Sequence, residues 1–360
     1  MFKNESLKKI CRFSLLLLVF FSVSSTLGGC ATKTKIALLQ PARYHEATLA
    51  KTVAVLPFNG QSGHEWSFEV EGVLGGVSVD GKPYFTLVER SAIDRAMEGQ
   101  NLYHSGIIDQ KAALRLGKSV RAQGVYTGDI TNSGCSDSPY FESRSQCGQY
   151  EIKYDKKGEP YEGDCISWMN YNVQCTRKTA TFSWSPKLID VKTGRILYSK
   201  NLTGTASSSG CEDTSSPTDD AKLLEQAKGK VKSEFRQDVA PFYVEKIIKL
   251  KDSCDGITAE DARSKLKEGL KYAADNHIDT ACALWGQARA LCPETSPSLA
   301  FNLGVCAEAK GDARSALDMY RMAEKLLGKP DEEITLALQR ASEAVNSQRK
   351  LKEQLRTGKK

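Results

Sequence analysis

The sequence predicts an α/β domain, a mixed sheet with flanking helices, followed by an all-α helical repeat domain. Three observations carry this. Strand-like β-branched runs alternate with helical spacings from residue 51 to about 250, small and aromatic residues recur 35 positions apart after residue 257, and 360 residues suit two domains of about 150 each. A composition of 40% hydrophobic and 26% charged residues is globular material, which excludes a collagen, a disordered tail and a multispan membrane protein. The net charge is +6, but residues 1–29 carry +3 and the last dozen carry +5, leaving the body at about −2. General nucleic-acid binding is not expected.

Lys3, Lys8, Lys9 and Arg12 precede an apolar run of eleven residues, Phe13 to Val23, well short of the ~20 that span a bilayer as a helix. Residues 1–29 therefore read as a secretion signal. Leu27-Gly28-Gly29-Cys30 resembles a bacterial lipobox, which makes Cys30 the acylated first residue of the mature chain and residues 30–50 a tether. Ala31, in place of Asp, favours the outer membrane by resemblance to sorted lipoproteins. The expected location is the outer membrane, lipid-anchored and facing the periplasm.

Beyond Cys11 and Cys30, nine cysteines remain: Cys135, Cys147, Cys165, Cys175, Cys211, Cys254, Cys282, Cys292 and Cys306. The number is odd, so at least one is unpaired or intermolecular. No CxxC occurs, and His45, His64, His104 and His277 do not sit at ligand spacing from them, so disulfides in an oxidising space are expected and a metal is not.

In residues 51–250, Lys51 to Phe58 is a buried-strand run ended by Pro57, Ser67 to Val77 has helical spacing, and Tyr84 to Glu89 is a second strand. Ser91 is a possible cap for a helix carrying Ile93 and Met97, and a further helix from Asp109 to Val120 leads into the strand Gly124–Ile130. Thr179 to Asp190 is a long strand, Lys192 to Arg195 a turn using Gly194, and Ile196 to Leu202 its hairpin partner. Leu223 to Leu250 closes the domain as helix.

VAVLPF at 53–58, FTLVER at 85–90 with IDRAM at 93–97, ALRLGKSVRAQGVYTGDI at 113–130 and LIDVKTGRILYSK at 188–200 resemble, in order, the curli secretion-channel (CsgG-type) family. The resemblance covers about 150 of the domain's 200 residues and implies a CsgG/TolB-N-like α/β fold. The same arrangement resembles lipoproteins that activate cell-wall synthases, so the fold does not choose a function. Pore-forming members insert hairpins after the strands corresponding to Gly124–Ile130 and Ile196–Leu202. Here the first insert, 131–178, holds thirteen charged residues and four cysteines, and the second, Thr203 to Asp220, is rich in Ser, Thr and Asp. A Lys or Arg on a lipid-facing strand costs ~2–4 kcal/mol at the midplane, so both inserts are expected as aqueous, Cys-stapled loops. Cys135 with Cys147 and Cys165 with Cys175 would close short loops, although sequence does not fix the pairing. Tyr140, Phe141, Tyr150, Tyr154, Tyr161, Trp168 and Tyr171 form either a contact surface or the insert's own small core.

In residues 257–330, Gly269, Tyr272, Ala281, Trp285, Ala288 and Pro293 recur as Gly304, Ala307, Ala316, Tyr320, Ala323 and Gly328. This resembles the tetratricopeptide pattern. The small residues let paired helices approach while Trp285 and Tyr320 fill the space between them. Residues 331–360 supply a capping helix and a basic tail. Antiparallel helices would set Cys254 against Cys292 and Cys282 against Cys306. Such an array usually presents a groove for a partner segment.

No HExxH, GxSxG or P-loop occurs, so neither an enzyme nor a cofactor is expected. The expected function is a periplasmic scaffold or adaptor in envelope assembly or protein export, binding partner proteins through its helical repeats and the membrane through its lipid, and able to form a homo-oligomer. The alternatives are a CsgG-like oligomeric secretion channel and an activator of a cell-wall synthase.

Overall fold

The computed structural model describes residues 32–100, 108–292 and 296–356. The signal segment, Cys30, His104, Pro293 and the last four residues lie outside the described residues. The chain divides into a sheet unit, Leu39–Phe242 with Ser347–Lys360, and a helical unit, Met1–Leu38 with Tyr243–Asn346.

Strand β1 (Lys33–Gln40) opens the described chain. The sheet begins with β2 (Thr52–Val55), whose β-branched residues stop short of Pro57. Helix α1 (Gly63–Gly75), the small ribbon β3 (Ser78–Val79) and β4 (Lys82–Pro83), and strand β5 (Thr86–Leu87) follow. Helix α2 (Arg90–Gly99) starts one residue before the Ser91 expected as its cap. Helix α3 (Gln110–Ser119) is capped by Asp109, which accepts a hydrogen bond from Ala112 N at 2.7 Å. Strands β6 (Gly124–Tyr154), β7 (Pro160–Asp190), β8 (Ile196–Ser199) and β9 (Leu202–Cys211) lead to helix α4 (Asp220–Val239).

The strand order is β5-β2-β6-β7-β8, with β9 also on β7. Strand β2 runs parallel to β5 and β6, while β7 is antiparallel to β6, β8 and β9, so the sheet is mixed. Alternation along β2 feeds two cores. Val53 and Val55 join Trp66, Phe182, Trp184 and Phe235, whereas Ala54 and Leu56 join Ile93, Leu116 and Ile189. Helices cover both faces, which is why this strand reads as a continuous apolar run. Gly194, at φ 73°, occupies the left-handed region that the β7–β8 turn requires.

Three expectations are corrected. The inserts are not loops: β6 and β7 continue as one antiparallel hairpin from Gly124↔Asp190 to Tyr154↔Pro160, and β9 follows β7 as far as Cys175↔Cys211. Alternating Tyr, Ile, Thr and Ser residues satisfy a pleated strand, and ladder hydrogen bonds outweigh the turn-like composition. The helix expected up to Leu250 ends at Val239, because Pro241 stops it and the Phe-Tyr-Val run that follows forms strand β10 (Phe242–Lys249). The stretch 30–50 is folded from Thr32 onward, since β1 pairs with β10, Leu250 N donates to Thr32 O at 2.8 Å, and Arg43 N and Tyr44 N donate to the Gln237 and Asp238 carbonyls at the end of α4.

The helical unit adds α5 (Glu260–Ala274), α6 (Ile278–Leu291), α7 (Pro297–Ala309), α8 (Ala313–Leu327) and α9 (Glu332–Arg356), whose residues from Ser347 on count with the sheet unit. Ile36, Leu38, Ile248 and Leu250 enter the same core as Trp285, Phe301 and Tyr320. Among the described residues no helix is long and apolar enough to cross a membrane.

In the sheet unit, the Gln354 side chain clamps Ala42, accepting from its N–H at 2.7 Å and donating to its carbonyl at 3.2 Å. Lys51 Nζ donates to Gln354 O at 3.0 Å and lies 3.3 Å from the Tyr84 ring centroid. Burial lowers the Lys51 pKa to about 7. Unfolded lysine keeps its proton to about 10.4. Between pH 7 and 10 the unfolded chain therefore binds more protons, and stability rises with pH through that window. Unfolding titrations at pH 7 and pH 10 should show this rise, and Lys51→Met should remove it.

Candidate partner-binding sites

Two helix pairs build the repeat region. A Cβ at Gly269 would collide with the Trp285 indole, and one at Gly304 with the Tyr320 ring, so glycine alone lets α5 meet α6 and α7 meet α8 across these aromatics. Ala281, Ala288, Ala316 and Ala323 are fully buried in the same seams. Trp285 Nε1 donates to Leu266 O at 3.2 Å, which satisfies its polar atom. Tyr272 of the same pattern stays 39% exposed, with its ring beside His277. The sulfurs of Cys282 and Cys306 are joined, linking α6 to α7.

A buried polar network lies behind the second pair. Glu308 accepts from Tyr320 OH at 2.7 Å and from Arg340 Nε and Nη2 at 2.5 and 2.8 Å. Burial and the Glu308 carboxylate raise the Tyr320 pKa, which keeps its phenol a neutral donor. Asn302, wholly buried on α7, accepts from Lys251 N at 3.1 Å and donates to Lys251 O at 2.8 Å. Lys251 Nζ meets both oxygens of Asp331 at 2.6 and 2.7 Å. The helices at this point already hold an extended peptide, and it is the chain's own. The chain's own Lys251 therefore covers α7 at Asn302.

Sequence reasoning missed Asn302, Glu308, Asp331 and Arg340. None falls on the small-and-aromatic repeat. A polar residue between Phe301 and Leu303, two positions before Gly304, was the signal for Asn302.

The second candidate is the arm formed by the outer halves of β6 and β7. Tyr140 packs on a small cluster of Val173, Cys175 and Cys211 at its base, but other large apolar side chains stay outside any core: Trp168 is 65% exposed, Ile166 60% and Phe141 68%. Tyr154 and Tyr161 near the tip are exposed as well. Charged pairs such as Lys153 with Asp164, 2.6 Å apart, stand among them.

Cysteines staple the arm, though not in the expected pairs. Cys135 and Cys147 are twelve residues apart on one strand. That is roughly 40 Å at about 3.3 Å per residue, and Cys165 and Cys175 on β7 are separated in the same way. Residues on one extended strand cannot meet, whereas residues on neighbouring strands can. Cys147 bridges to Cys165 across the β6–β7 hairpin, and Cys175 to Cys211 across the β7–β9 ladder. Cys135 is an exposed thiol, its sulfur 3.6 Å from Asp220 O. Cys254 and Cys292 are not bridged either: Cys254 opens a turn closed by Ile257 N, and the Cys292 thiol donates to Gly256 O at 3.7 Å.

Among the described residues, Glu142, Cys175 and Cys211 bring three potential metal-ligand atoms together. Both sulfurs are bonded to each other, so the cluster does not present the thiolates that a soft metal requires.

No family model and no curated protein matches the chain. Solved structures with local likeness include the C-terminal domain of LpoB from Salmonella enterica, at 13% identity over 42% of this chain and 81% of that one, with a TM-score of 0.25. Lipoprotein GNA1162 from Neisseria meningitidis matches at 12% identity over 51% of this chain and 96% of that one, with a TM-score of 0.24. The PelC dodecamer from Paraburkholderia phytofirmans matches at 15% identity over 58% of this chain and 99% of that one, with a TM-score of 0.21. Likeness at this level carries no function from one protein to another.

Proposed function

We propose that this chain is an outer-membrane lipoprotein, anchored through acylated Cys30, that acts as a non-enzymatic scaffold binding partner proteins in the periplasm. The lipobox-like Leu27–Cys30 segment supports the anchor, and three disulfides suit an oxidising compartment.

The observation that carries the partner-binding reading is the arm. A two-stranded hairpin is marginally stable by itself in water, yet this one is cross-linked and displays Phe141, Ile166 and Trp168 to solvent. Interfaces are enriched in such aromatics, and the nearby charges suit a protein surface better than hydrocarbon. The helical unit, where Lys251 is held at Asn302, gives the scaffold a second folded part.

A photo-crosslinking residue in place of Phe141, in the acylated protein within intact envelopes, should yield a protein adduct of defined mass. Trp168→Ser with Ile166→Ser should weaken that adduct at least 30-fold, as loss of a hot spot of about 2 kcal/mol would. An adduct of undiminished yield in the double variant, or crosslinks to lipid alone, would sink the reading.

A further inference from the structure

The chain between the anchor and the folded body is too short to act as a tether. Only Ala31 separates Cys30 from Thr32, whose carbonyl accepts from Leu250 N at 2.8 Å. Two residues span at most about 7 Å when fully extended. If Cys30 carries acyl chains, as the proposed function holds, the start of β1 and the end of β10 are held at the lipid headgroups.

The ribbon has one face to offer there. Thr34, Ile36 and Leu38 of β1, with Ile248 of β10, point into the helical core. Alternation sends Lys33 and Lys35 the other way, and on β10 it exposes Lys249, Ile247 and Tyr243. Ile247 is 66% exposed and Tyr243 51%. The three lysines have no ion-pair partner among the described residues, and Glu245 is the acidic residue of that face.

We propose that this face of the β1–β10 ribbon is a phospholipid-binding surface, laid against anionic headgroups beside Cys30. Lysines act on a charged bilayer only within about a Debye length, close to 8 Å at physiological salt, and the covalent distance to Cys30 places Lys33, and Lys249 beside Leu250, near that range. Ile247 and Tyr243 supply the apolar and amphipathic side chains that enter the interfacial layer.

Two measurements test this. In hydroxyl-radical labelling of the acylated protein on vesicles of phosphatidylethanolamine and phosphatidylglycerol, Tyr243 and Ile247 should label several-fold less than in the unacylated Cys30→Ser protein in solution. In flotation of the Cys30→Ser protein with the same vesicles, Lys33→Gln, Lys35→Gln and Lys249→Gln should each weaken binding about fivefold, the ratio set by about 1 kcal/mol per lysine. Circular dichroism of these surface variants checks that the fold is intact. Undiminished labelling on vesicle-bound acylated protein overturns the proposal and leaves the anchor standing. So does equal binding of the lysine variants, or equal binding to phosphatidylcholine vesicles or to peptidoglycan sacculi. An intact mass without acyl chains on Cys30 instead removes the proposed anchoring itself.

Discussion

Arg340→Ala is expected to destabilise the helical unit by about 3–5 kcal/mol, among the largest losses any single substitution would produce there. Glu308 is 3% exposed, and its carboxylate is held by the Arg340 guanidinium through two hydrogen bonds and by Tyr320 OH through a third. Removing the guanidinium leaves a buried charge with a single neutral donor. The cost is the carboxylate's desolvation, no longer offset, rather than the modest net worth of the pair. Arg340→Lys keeps the charge but loses the forked geometry, so it should lie between wild type and alanine. Arg340→Met with Glu308→Gln should recover most of the loss, because it removes both charges together. Denaturant unfolding followed by helical circular dichroism reads all three. A change below about 1 kcal/mol for Arg340→Ala would show that the network contributes little.

Replacing both Cys175 and Cys211 with alanine is expected to cost about 4 kcal/mol in the stability of the sheet unit, the loop-closure entropy of a 36-residue ring, and to loosen the arm at its base. This bridge ties the last register pair of the β7–β9 ladder, where Val173, Tyr140 and both sulfurs form a small core of their own. Without it, the outer hairpin keeps only the Cys147–Cys165 staple and its ladder hydrogen bonds. The effect should appear as local opening: limited proteolysis would cut between residues 140 and 175 while the sheet core stays intact. Equal protease resistance of variant and wild type would mean that the ladder alone holds the arm. Phe182, Trp184, Tyr198 and Leu202 of the sheet core lie inside the ring, so global unfolding of the sheet unit should shift as well, which denaturant titration followed by tryptophan fluorescence would read.

The elements that local chemistry dictates could be read directly. Thr52–Val55 is β-branched and bounded by Pro57, Asp109 offers a carboxylate to the first turn of α3, and Gly194 fits the one left-handed position of its turn. The helical pairs followed from Gly269, Trp285, Gly304 and Tyr320, because close approach of two helices leaves a periodic trace of small residues opposite large ones. Asn302, Glu308, Asp331 and Arg340 leave no such trace. Each works through a partner from 12 to 80 positions away, and no spacing rule reaches that far.

The arm shows the same division. Its cysteines, aromatics and charges were visible as a composition, but composition does not distinguish a loop from a strand when the ladder partner is unknown. The register that starts at Gly124↔Asp190 shifts at bulges between Ile130 and Asn132 and again between Cys147 and Ile152, so only the folded ladder sets Cys175 opposite Cys211 and brings Cys147, which faces Trp168, within reach of Cys165, which faces Tyr150. The amino-acid sequence by itself determined the two-part architecture and the helix seams, since these rest on contacts between near neighbours or on short linear patterns. Only the tertiary structure decided the disulfide map, the peptide held at Asn302 and the pairing of β1 with β10. Those depend on which distant segments meet, and chain connectivity leaves that open until the fold closes.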